Sequence, residues 1–141
     1  MHYDLDNLED FCRELGFACS RISADTLEIS MLDDIILEFM NMKNEDSLIG
    51  FKDMPWHFHD KLELGIGENA YIELDELDIL QGLKDGDILI VEEYLNGTLN
   101  NRWLAHKKEK VDVQYIQAGE EVRIRSVAQK DEKEDGRPVY L

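Results

Sequence analysis

Two imidazoles, His57 and His59, stand two positions apart. On an extended strand that spacing turns both side chains to one face, where they could grip a single metal ion. Glu63 follows after three more residues and would add a carboxylate oxygen. Trp56 and Phe58 alternate with the histidines, so the segment reads first as an amphipathic strand with its aromatic rings in the core and its imidazoles in solvent. Trp56, His57, His59 and Asp60 then form a candidate recognition loop. No metal is favoured, and His57, His59 and Glu63 are the alternative ligand set.

The pattern of His57, His59 and Glu63 resembles part of the first motif of the cupin family, a small β-barrel that commonly holds a divalent metal. The chain departs from that motif: Gly50 lies one position too far from His57, no glycine follows Glu63 at the expected place, and the second motif is missing. Lys61 shares the parity of these side chains and would put an ammonium among the ligands, while His106 is left as the source of a third imidazole. Gly65-Ile66-Gly67-Glu68-Asn69-Ala70 fits the letters of a dinucleotide-binding fingerprint. Only Leu62-Glu63-Leu64 precedes it, and Glu63, Glu68 and Glu73 would repel phosphate, so it reads as a glycine-bearing loop. Cys12 and Cys19 are not in a CxxC pattern and read as two buried thiols. No nucleophile elbow is present and no cysteine has a histidine close by in sequence, so no catalytic residue and no cofactor are assigned.

Charge carries more information than any of these motifs. The chain of 141 residues has 32 acidic and 15 basic side chains, a formal net charge of −17. Glu68, Glu73, Asp75, Glu76, Asp78, Asp85, Asp87, Glu92 and Glu93 fall in one stretch that holds a single lysine, Lys84. Such a field repels nucleic-acid phosphates and anionic membranes and draws in a basic protein. These nine carboxylates are the candidate interaction residues. The N-terminus has no basic segment followed by an apolar run, so neither a signal peptide nor a membrane span is expected and the chain is placed in the cytoplasm.

The elements that must position these groups follow from periodicity. Leu5, Leu8, Phe11, Cys12 and Leu15 recur at helical spacing, with Asp6 or Asn7 as N-cap and Gly16 as the stop. Strand-like runs follow at 17–22, 27–32, 35–42 and 48–52. Residues 71–76 fit either a strand or the start of a short helix reaching Leu83. Ile88-Leu89-Ile90-Val91 suits a central strand, and Asn96-Gly97 marks a hairpin into Thr98 to His106. Val111, Val113 and Tyr115 alternate ahead of Val122 and Ile124, which predicts a second hairpin. The expectation is one α+β domain over 1–128, an N-terminal helix packed on a largely antiparallel sheet of about six to eight strands with one further short helix. A charged, mobile tail is expected over 129–141.

With its acidic stretch and its Trp56-His57-Phe58-His59 loop, the chain resembles the small acidic immunity proteins of bacterial toxin and immunity pairs. The likeness is one of type and implies a non-catalytic inhibitor that occludes a basic partner such as a nuclease.

Overall fold

In the computed structural model, residues 2–32, 34–67, 69–109, 118–129 and 136–139 are described. Helix α1 (Leu5–Leu15) starts at Asp4, whose side chain accepts from the Asn7 backbone N–H, and ends at Gly16 with φ of 85°. The N-cap is therefore Asp4 and not Asp6 or Asn7. Tyr3 fixes the start of the helix: its backbone N–H donates to Asn41 Oδ1 at 2.7 Å, and its carbonyl accepts from Asn41 Nδ2 at 2.9 Å.

Strands β1 (Ala18–Ser23), β2 (Thr26–Leu32), β3 (Ile35–Asn41), β4 (Ser47–Phe51) and β5 (His57–Phe58) form an antiparallel sheet in chain order. Leu27 stands opposite Phe39, Ile29 opposite Leu37, and Phe39 opposite Ile49, so the centre of one face of the sheet is apolar. These residues are fully buried against Leu5, Leu8 and Cys12 of α1.

The expectation of one sheet of six to eight strands is corrected. The strands divide into three separate sheets: the five-stranded one, a two-stranded ribbon of β6 (Leu62–Gly65) and β7 (Tyr71–Leu74), and a four-stranded sheet. The first break falls between β5 and β6, at Asp60, whose left-handed φ of 62° does not continue a strand. Asp53, with φ of 64°, lies in the connection between β4 and β5, which pair within the five-stranded sheet. The α+β class and the antiparallel pairing hold.

Residues 71–76 are resolved as strand up to Leu74, then Asp75 as N-cap of α2 (Glu76–Asp85). Asp75 and Asp78 cap one another reciprocally, which satisfies two of the helix's free N–H groups. Gly82, a weak helix former, is required by packing: a Cβ there would stand 2.5 Å from Ile88 Cδ1. The four-stranded sheet runs β11 (Gly136–Val139), β10 (Glu120–Arg125), β8 (Ile88–Leu95), β9 (Thr98–His106). The β8–β9 turn has positive φ at both Asn96 (51°) and Gly97 (83°), as that dipeptide predicts. Val111, Val113 and Tyr115 lie outside the described residues, and β10 pairs with β8 on the side away from β9. Among the described residues no helix is long and apolar enough to cross a membrane.

Candidate functional site

Local structure sorts the acidic stretch into several classes. Asp75 and Asp78 are engaged in the α2 cap. Asp85 accepts from Gln81 Nε2 at 3.0 Å, and Glu93 accepts from Asn100 Nδ2 at 2.8 Å. Asp87 lies 2.6 Å from Lys107 Nζ, and that hydrogen bond holds its carboxyl below the usual range. Glu92 shares the inward parity of Ile88 and Ile90 and is fully buried, so it faces the interior and no partner. Arg102, directly opposite on β9, donates from Nε to Glu92 Oε2 at 2.7 Å. Glu68 lies outside the described residues.

Glu73 is left on an exposed surface, and the ribbon gives it unexpected neighbours. Its cross-strand partner is Glu63, and the next outward pair is Gly65 with Tyr71. Leu62 and Leu64 turn the other way into the core. Like charges directly opposite one another destabilise a sheet, and here Lys61 Nζ lies 3.5 Å from Glu73 Oε1. A third carboxylate, Glu109, lies over Gly65, in the space a Cβ would fill. Tyr71 keeps 68% of its surface exposed beside these groups. Glu63, Glu73, Glu109 and Tyr71 thus share one outward face. Glu109 was missed because it comes from the turn after β9, 36 positions beyond Glu73.

The histidine loop is held from both sides. Trp56 packs between Phe51 and Phe58, with ring centroids 6.0 and 5.2 Å away, and its backbone N–H donates to Asn101 Oδ1. His57 and His59 are exposed, their rings 5.4 Å apart and perpendicular. His59 Nδ1 lies 2.7 Å from the Ser47 carbonyl, which can only accept, so that nitrogen carries a proton; Asp46 Oδ2 is 3.3 Å away. The Asp60 carbonyl accepts from Tyr3 Oη at 2.7 Å. Burial pushes Tyr3 up to about 12, so this hydroxyl stays protonated. Glu63 lies beyond the Asp60 turn on the ribbon. Among the described residues no group of three or more His, Cys, Asp or Glu side chains is arranged to hold a metal ion. His106 faces Ile88, and burial lowers its pKa. Gly65 ends β6, and Ile66 to Ala70 connect to another strand, so the fingerprint's strand-to-helix setting is absent.

A second feature escaped the sequence reading. Glu28 on β2 and Glu38 on β3 stand directly opposite on the outer face of the five-stranded sheet. Burial, then the neighbouring Glu28 carboxylate, raises the pKa of Glu38. Lys52 Nζ lies 3.1 Å from Glu28 Oε2. Alternation within 27–32 and 35–42 could have given their common face, but not their register.

No family model, curated protein or solved structure matches this chain.

Proposed function

We propose that the chain is a non-catalytic acidic binding module, similar in type to immunity proteins, which occludes a basic protein partner such as a nuclease toxin. The observation that carries the reading is the outward face of the ribbon, which Glu63, Glu73 and Glu109 share with the exposed ring of Tyr71. A lysine or arginine would relieve the repulsion between the paired carboxylates, and a guanidinium could also stack on the tyrosine ring. Aromatic anchors rimmed by polar groups are the usual energetic centres of interfaces.

The test is capture from the source organism with untagged, immobilised protein at low and high salt. A basic protein should be retained at low salt and released as ionic strength rises. Glu63→Gln with Glu73→Gln, and separately Tyr71→Ala, should lose it. Recovery of no partner at low salt, or capture that all three substitutions leave unchanged, would overturn the reading.

A further inference from the structure

The outer surface of the five-stranded sheet is open: Ser20, Ser30 and Lys52 are exposed and Ile22 keeps 56% of its surface. The register aligns Ser20, Glu28, Glu38, Gly50 and His57 in one row across all five strands. Beside that row the small side chains of Ala18, Ser20 and Ser30 leave a groove of about 200 Å³, bounded by Glu28 and Ile36. Half-buried Met40 and Leu48 share the same face.

The charges here are out of balance. Glu28 and Glu38 are cross-strand neighbours on one face, Asp53 adds to the negative potential at Glu38, and Lys52 is the ammonium paired with Glu28. Half-burial of two adjacent carboxylates beside one ammonium leaves the pair a cation short, and the raised proton affinity of Glu38 is the consequence. A second copy of this chain would bring a net charge of −17 to the same surface and be repelled, as would nucleic acid.

We propose that this sheet face docks a basic protein segment, with the stem of an arginine or lysine in the groove against Ile36 and its charged head between Glu28 and Glu38. Apolar side chains around a charged centre fit the composition of protein interfaces. This surface belongs to a different sheet from the ribbon face and stands or falls apart from it.

The test is a titration of the isotopically labelled full chain with a hexa-arginine peptide, followed amide by amide by NMR. Shifts at Ser20, Ser30 and Glu38 are expected to saturate together. Glu28→Gln with Glu38→Gln should weaken that site about tenfold while shifts near Tyr71 persist. Glu63→Gln with Glu73→Gln removes the same charge elsewhere and should leave the Ser20 and Ser30 shifts unchanged. Lys52→Gln should tighten the site, because it removes the ammonium that competes for Glu28. Absence of shifts at Ser20 and Ser30, or equal weakening by the two double substitutions, would overturn the inference, as would a stable dimer buried at this face. Loss of the Tyr71 shifts alone would count against the ribbon reading and leave this one standing. A denaturation curve for each variant confirms that it remains folded.

Discussion

Glu92 and Arg102 face one another across the β8–β9 hairpin, the carboxylate fully buried and the guanidinium Nε 2.7 Å from its Oε2. Arg125 NH1 lies 3.6 Å from the other carboxylate oxygen, and Asp34 approaches both arginines from the β2–β3 turn. Removing one member of a buried pair leaves an uncompensated charge, so Arg102→Ala should cost about 3–5 kcal/mol in urea unfolding. Replacing both Glu92 and Arg102 with leucine should recover most of that loss. A double variant as unstable as the single would show that the pair itself stabilises the fold.

Glu38 predicts a pH dependence of definite sign. Its folded pKa is raised by burial and by Glu28, so the folded chain binds that proton more tightly than the unfolded chain. Its contribution is therefore full below the ordinary value of 4.5 and is lost as pH rises through the raised value. Glu38→Gln should stabilise the protein at pH 7 by no more than about 1 kcal/mol, given solvent screening of a partly exposed group. The gain should vanish near pH 4, as measured by thermal unfolding across that range.

The two histidines should separate under substitution. His59→Ala removes the donor to the Ser47 carbonyl and should cost about 1 kcal/mol. His57, whose exposed ring meets the nearby Pro55 carbonyl and the His59 ring, should tolerate alanine within about 0.5 kcal/mol. Equal losses would mean that the loop depends on the imidazole pair as a unit.

Thiol chemistry offers a further check. Burial pushes Cys12 up to about 12, with Cys19 the next cause, and Cys19 is raised as well but is less buried. A disulfide-exchange reagent at pH 8 should label Cys19 first and slowly, and reach Cys12 only as the chain opens. Rapid labelling of Cys12 in the native protein would contradict its placement on the buried face of α1.

Local signals were legible and long-range ones were not. Helix α1 and the Asn96-Gly97 turn follow from patterns within a dozen residues. The start of α1 does not, because Tyr3 is held by Asn41, 38 positions away. Glu92 stands among surface carboxylates in the linear sequence, although its parity with Ile88 and Ile90 places it inward. Regular pairing from the hairpin turn would set it against Asn101, and only the register shift between Glu93 and Tyr94 brings Arg102 opposite. The single sheet failed for a related reason: the left-handed aspartate at its first break, Asp60, lies in a segment whose composition also suits a strand end. The ribbon face needed Glu109 to return over Gly65, and the Glu28–Glu38 pair needed a strand register.

The ion pair between Asp34 and Arg125 joins residues 91 positions apart. During synthesis the first four strands can zip into their meander as each neighbour emerges, long before Arg125 exists. Closure of this clasp has to wait for nearly the whole chain and bears the entropy of a very long loop. Refolding should therefore show early formation of the meander, with the Asp34 end of the β2–β3 hairpin secured last.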